Sequence, residues 1–578
     1  MPERLANRPA GWSDGAFLAL ILVVTWWLTG PTALPDADAG EFVVLAAQGG
    51  IPHPPGYPLL MLLLRLVAPL RAWVPVVPLL SSVSVVAVAV AAWVMQRVLL
   101  EMTGSRMGAW LACWTVFLSA PVWRDATTVE PFGLNLLQAA LVLLCTWRFL
   151  DDNANRARWA LLLGVGFGTG VCNHHSLAFL APATLVILGM TSWRKRDARP
   201  VAAFLVGGVL GLVPLVYLFT TDSQTALSWG DTSARGWWWR HLLRADYGTF
   251  SLKHGAGGMP SALPLFLRGL PGALSVGAAV LVGLGVWQAT RARDGKLRGF
   301  LVVNVVHLVL LLGVFMTLAR LESDGTARLI IQRFFALPLV LLAPWILLGW
   351  QVVTERVPER MAHVVAVAFM LIHVSLQLPD AERRSEVFSD MHVGNALGHL
   401  PEGAVVVTGS DADYLALSYG REVLGLAPTT VITTVSLWDT PWYRARVRQR
   451  VPELGDGSVV TSLQPVVAVR PVMFTAGALQ FLGPGAPRTV PHGVFQRMLR
   501  EDEDADWERV FRDNVALFER YRFPATLDEL TAWESVMLHD YWWTWKKLSD
   551  ALAPRGDEKA AEAQRMRMLL EQGLRPMM

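Results

Sequence analysis

Three carboxylates crowd the run Pro35-Asp36-Ala37-Asp38-Ala39-Gly40-Glu41, with no basic residue beside them. Solubility alone does not call for them. Asp38 and Glu41 are three positions apart, so they share a face if Gly40 to Gln48 is helical. Carboxylates that share a face are of the type that acid–base chemistry uses. The same spacing describes a capping box, with Asp38 as N-cap and Glu41 as its partner at the third helical position, and spacing leaves the two readings level. Next comes His53-Pro54-Pro55-Gly56-Tyr57-Pro58, whose prolines and glycine impose an irregular backbone. At membrane depth such a backbone is tolerated only when buried in protein or lining a cavity. His53 therefore reads as a site residue, against simple bonding of the loop's own carbonyls.

Further candidates lie downstream. Glu130 follows Trp123-Arg124-Asp125 and precedes a helix predicted from Phe132, so it is either a binding carboxylate or a charge that complements the helix dipole. His174 and His175 interrupt two apolar halves in FGTGVCNHHSLAFLAP. Adjacent histidines cannot easily share one metal, so hydrogen bonding is the better reading of the pair. Arg333 opens a long apolar run, as an interfacial anchor or as a guanidinium for an anion.

The elements that position these residues are mostly apolar. Hydrophobic residues make up 53% of 578 positions and charged residues 17%, too apolar for a soluble chain of this length. Segments of spanning character lie near residues 15–34, 77–99, 108–122, 133–150, 158–172, 176–192, 201–220, 269–290, 299–318, 335–353 and 361–378, which predicts about eleven membrane crossings. The first resembles a signal sequence but is long and has no convincing cleavage site, so it is read as a retained helix. Residues 56–70 carry Arg65 and flanking prolines and are read as interfacial or re-entrant. Arg and Lys clusters at Arg97/Arg106, Arg148/Arg158, Arg194/Arg199, Arg291/Arg298 and Arg356/Arg360 fall mostly at alternate loops. With those loops cytoplasmic, the N-terminus is inside and everything after Leu378 is extracytoplasmic. The formal charge of +3 is small and its basic residues form no single stripe, which argues against nucleic acid. Cys113, Cys145 and Cys172 sit in apolar stretches, and no disulfide is expected.

The predicted fold is thus a polytopic α-helical membrane domain over 1–378, an extracytoplasmic α/β domain over 379–525 and a helical hairpin over 526–578. In the second part, AVVVTG, DADYLALSYGREVLG and TTVITTV read as strand, helix and strand of a βαβ unit. The hairpin has tetratricopeptide character, as a cap or docking element.

The segment DAGEFVVLAAQGGIPHPPGYPL resembles the signature Asp-x-Gly-Glu, spacer, His-Pro-Pro-Gly-Tyr-Pro of a multipass membrane family, widespread in bacteria, that includes an animal protein O-mannosyltransferase. VEPFGLN, SWGDT around Trp229 and Asp231, ADYGTF around Tyr247, QRFFALP around Arg333 and WDTPWY add to the resemblance, which covers about residues 15–445. Ser228 and Thr232 replace an Asn and a Pro usual around Trp-Gly-Asp, and Pro131-Phe132 replaces a Val-Tyr pair. The family is similar to the C-type glycosyltransferases, so the resemblance implies an inverting transfer of a sugar, mannose among the candidates, from a polyprenyl-phosphate carrier to a protein or envelope glycan outside the membrane. The resemblance also implies a bacterial inner membrane, and Asp38 or Glu41 as base. Asp36, His53, Tyr57, Arg124, Glu130, His174, His175, Trp229, Asp231 and Arg333 become substrate-binding candidates, with Arg333 on the phosphate and Arg124, Arg320 and Arg328 on nearby external loops.

A transporter or flippase of lipid-linked saccharides is the alternative, but no inverted repeat is visible and the acids gather at one face rather than at the midplane. A scaffold or receptor would not need so many crossings. No essential metal is expected, although Asp36, Asp38 and Glu41 could hold Mg2+ or Mn2+. The expected partners are the lipid-linked donor, the acceptor and the bilayer.

Overall fold

Backbone polar groups in an apolar run find no water in a bilayer, so such runs close their hydrogen bonds internally as helices. The computed structural model describes residues 12–35, 37–221, 227–245, 262–319, 330, 332–527, 530–555 and 558–574, and in it all eleven expected segments are helical. Among the described residues, eight helices are long and apolar enough to cross a membrane: Val76–Thr103, Phe132–Asp151, His175–Lys195, Arg199–Thr220, Leu263–Thr290, Gly295–Leu318, Ala336–Thr354 and Glu359–Ala381. The other three are shorter. Ser13–Thr29 ends where Gly30-Pro31 follows, Arg156–Val171 has 16 residues, and Arg106–Phe117 has 12. Twelve residues rise only ~18 Å against a ~30 Å hydrocarbon core, so the stretch expected at 108–122 crosses only together with Ala120–Ala126, beyond a break at Leu118-Ser119. Pro58–Val67 is shorter still, with Leu60, Met61 and Leu64 buried and Leu66 exposed, the pattern of a helix lying along a surface.

The chain divides into two compact units, residues 1–30, 53–221 and 236–382 in one and residues 31–52, 222–235 and 383–578 in the other. In the first unit Ala336–Thr354 is 89% buried across its apolar window while Glu359–Ala381 is 22% buried, which makes the former a central helix and the latter a peripheral one. Helices Arg156–Val171 and Arg199–Gly211 approach through small residues. A Cβ on Gly164 would fall 2.1 Å from the Phe204 carbonyl oxygen, the contact that lets backbones close where lipid supplies no hydrophobic drive. Cys113, Cys145 and Cys172 are buried and free.

The second unit is built on a five-stranded sheet. Its strands are β1 (Val405–Thr408), β2 (Val431–Thr434), β3 (Val472–Phe474), β4 (Thr489–His492) and β5 (Phe495–Met498), in the order β2-β1-β3-β5-β4. β1 pairs in parallel with both β2 and β3, and β3 and β4 flank β5 antiparallel. β1 and β2 are buried at every position, as a parallel strand covered on both faces requires. Between them runs helix Asp411–Glu422, whose N-cap Ser410 accepts from the Asp413 N–H, so the expected βαβ unit is present. Helix Ala37–Gln48 lies against this helix. Near the C-terminus, Ala532–Leu552 opens with a Thr531/Glu534 capping box and pairs with Glu558–Glu571. Its Tyr541 and Trp545 are fully buried, which makes this helix part of the unit's core.

Candidate active site

In the first unit, the break after helix Arg156–Val171 and the loop before Pro58–Val67 meet. Leu59 N–H donates to the Cys172 carbonyl at 2.9 Å, Gly56 takes φ +89° and Tyr57 caps its helix in the left-handed region. These conformations explain the Gly and the tight spacing of the Pro-Pro-Gly-Tyr run. Tyr57 Oη lies 2.9 Å from His53 Nε2, and its ring stacks on His174 at 6.2 Å. His174 is further enclosed by Phe132 and Phe334, at 5.4 and 5.6 Å between ring centres. Ser176 N–H donates to His174 Nδ1 at 3.1 Å, which leaves the proton of a neutral imidazole on Nε2. Burial, aided by the nearby His175, Arg244 and His53, pushes the His174 pKa down, so the ring stays neutral.

Beside this cluster lies a small cavity lined by Asp125, Phe132, Asn135, Ser176, Phe315, Arg333 and Phe334 among others. Arg333 Nη1 lies 3.5 Å from Glu130 Oε1, with both side chains largely buried. Helix Phe132–Asp151 carries Asn135, whose Nδ2 donates to Ser176 Oγ at 2.7 Å, and Ser176 Oγ in turn lies 2.8 Å from His174 Nδ1. The arrangement offers one guanidinium and several hydrogen-bonding groups to a polar head, and aromatic and aliphatic walls to an apolar tail.

The second unit carries Asp38, Glu41, Trp229 and Asp231. Helix Ala37–Gln48 begins one residue before Asp38, which lies in its first turn. Asp38 is half-buried and Glu41 is 1% exposed. Gly40 faces helix Asp411–Glu422: a Cβ there would sit 2.8 Å from the Leu415 carbonyl oxygen. This accounts for the glycine of Asp-x-Gly-Glu as a packing requirement. Ile51 N–H donates to Ser228 Oγ at 2.9 Å, a bond that an asparagine side-chain oxygen would make equally well, and Trp229 N–H donates to the Ile51 carbonyl at 2.8 Å. The Trp229 ring lies 5.8 Å from Trp442, while Asp231 is exposed and accepts from Ser233 N–H in a local turn.

The structure therefore brings together His53, Tyr57 and His174 in one cluster and Glu130 and Arg333 in another on the first unit, and sets the acidic pair and the Trp-Gly-Asp motif on the second. His175 is half-buried beside His174. Arg124 stands apart from the cavity, exposed and bonded through Nε to the Asp380 carbonyl at 2.7 Å, which is a structural tie. Asp36, Tyr247, Arg320 and Arg328 lie outside the described residues. Asp125, Asn135 and Ser176 line the cavity and were not singled out as site residues. The available signal was that Asn135 and Ser176 are polar residues in otherwise apolar stretches.

Residues 38–197 match the family model described as Protein O-mannosyl-transferase TMEM260 N-terminal domain. The mouse Protein O-mannosyl-transferase TMEM260 is 24% identical over 465 residues, 76% of this chain and 66% of the relative. The Dictyostelium discoideum protein of the same description is 24% identical over 350 residues, 56% of this chain and 43% of the relative. The chain thus spans less than two thirds of the length of either. Among solved structures, ArnT from Cupriavidus metallidurans bound to undecaprenyl phosphate aligns with a TM-score of 0.53 at 12% identity, covering 84% of this chain and 98% of that one. Residues 38–197 are thus similar to the N-terminal domain of the TMEM260 protein O-mannosyl-transferases, and the fold of the chain is similar to that of ArnT.

Proposed function

We propose that this protein is an inverting membrane glycosyltransferase that takes a sugar, mannose by likeness to its relatives, from a polyprenyl-phosphate carrier. The acceptor is a protein hydroxyl or an envelope glycan, reached on the extracytoplasmic side of a bacterial inner membrane. The observation that carries this reading is the cavity in which Arg333 pairs with Glu130 beside Phe132, Phe315 and Phe334. A guanidinium binds phosphate oxygens through two parallel N–H bonds and keeps its charge beside lipid, while the apolar walls suit a prenyl chain. In the proposed step, the acceptor hydroxyl attacks the anomeric carbon and the bond to phosphate oxygen breaks with its electron pair on oxygen. Arg333 steadies that departing phosphate. The acceptor's proton passes to a carboxylate, assigned to Asp38, with Glu41 second, on the match to Asp-x-Gly-Glu. Neutral His174 donates a hydrogen bond through Nε2, and no essential metal enters the step.

The test is to incubate purified full-length protein with a panel of radiolabelled polyprenyl-phosphate sugars. Release or transfer of label from one donor is expected. Inertness toward every donor, with translocation of intact lipid-linked saccharide in vesicles, would replace the reading with transport.

A further inference from the structure

Three buried side chains in the second unit converge from helices far apart in sequence: His392 on Phe388–Leu397, Asp413 on Asp411–Glu422 and Asp540 on Ala532–Leu552. They are 0%, 1% and 2% exposed. Each offers one ligand atom, and these atoms lie within 4.8 Å of one another. Each side chain is also held from behind by its other polar atom. His392 Nδ1 lies 3.3 Å from Tyr541 Oη, Asp413 Oδ2 accepts from Ser410 Oγ at 2.6 Å, and Asp540 Oδ1 accepts from the Ala476 N–H at 2.7 Å. The remaining atoms, His392 Nε2, Asp413 Oδ1 and Asp540 Oδ2, are buried and make no hydrogen bond.

We propose that His392, Asp413 and Asp540 bind a divalent transition-metal ion of the Zn2+ type, which ties the C-terminal helix to the βαβ unit. Outer groups that hold a ligand's second atom are a regular feature of metal sites, and a Tyr541 oxygen at Nδ1 leaves the Nε2 lone pair for a metal. His392 Nε2 and Asp413 Oδ1 are 3.6 Å apart. That is longer than a hydrogen bond but close to the ~3.3 Å edge of a tetrahedron with ~2 Å metal–ligand bonds. A cluster held together by shared protons would instead draw these atoms into hydrogen-bonding distance. No lysine or arginine pairs with either carboxylate among the described residues. Burial pushes the Asp413 and Asp540 carboxyls up, with Asp413 adding to the effect at Asp540, and pushes His392 down. A dication offsets that cost by neutralising two carboxylates at once. The imidazole favours Zn2+ over Mg2+ or Ca2+, and water takes the fourth position.

The site lies among residues with no part in the proposed transfer, and its test reads metal rather than activity. Full-length protein in detergent is stripped with chelator, loaded with ZnCl2, freed of excess metal and analysed for zinc. Wild type should retain about one Zn2+ per chain and melt at a higher temperature than the stripped protein. His392→Gln and Asp540→Asn should each lose the zinc and its thermal shift, while Asp38→Asn keeps both. Should either variant fail to fold, Co2+-loaded wild type provides an independent reading through the visible absorption bands of four-coordinate Co2+. Wild type that retains no zinc, folded variants that retain it, or absence of those bands would overturn the proposal.

Discussion

Arg333 and Glu130 are paired at 3.5 Å, both largely buried, so neither charge is an ordinary surface anchor. Asp38 lies inside the first turn of its helix, where a carboxylate also complements the dipole. Its chemical and electrostatic roles separate under substitution. Asp38→Asn keeps shape and hydrogen-bonding oxygen but cannot take a proton, so transfer should fall about a hundredfold or more while the melting temperature stays near wild type. Retained activity in Asp38→Asn together with a large loss in Glu41→Gln would move the base to Glu41. At this scale the acidic run and the His-Pro-Pro-Gly-Tyr-Pro loop were legible because several unusual residues stand together in each. Asp125 and Ser176 were not, because each is an ordinary polar residue until folding brings it beside Arg333. His392, Asp413 and Asp540 escaped for the same reason, their convergence depending on helices from three parts of the chain.

Among the elements, helix Ala37–Gln48 lies on Asp411–Glu422 through Gly40. An alanine in an exposed helix normally stabilises by ~1 kcal/mol over glycine. Here its Cβ would meet the Leu415 carbonyl oxygen at 2.8 Å, and overpacking of that kind costs ~1–3 kcal/mol. Gly40→Ala should therefore lower the melting temperature, and a rise would show that the helices can part without cost. The βαβ unit was readable from its continuous Val, Ile and Thr runs on either side of a capped helix. Strands β3, β4 and β5 were not, being 3 or 4 residues long with Pro491 or Arg497 among them. The spanning helices were legible from apolar length, and their irregularities at Leu118-Ser119 and Cys172-Asn173 only in part. Short breaks leave the average hydropathy of a segment almost unchanged.

For the whole molecule, the clusters of arginine and lysine at alternate loops imply that reporters fused after Ser105, Arg196 and Lys296 behave as cytoplasmic, and those after Gly50 and Gly403 as external. A cytoplasmic signal at Gly403 would contradict transfer on the extracytoplasmic side. Chemistry, orientation and lipid carrier meet in the role assigned to Arg333. With the donor that proves active, kcat/KM is measured for wild type and Arg333→Lys at matched expression and stability. Replacing the bidentate fork by a point charge should lower kcat/KM about tenfold to a hundredfold, the worth of one or two charge-assisted hydrogen bonds. Equal values for the two proteins would remove Arg333 from the donor phosphate and contradict the account.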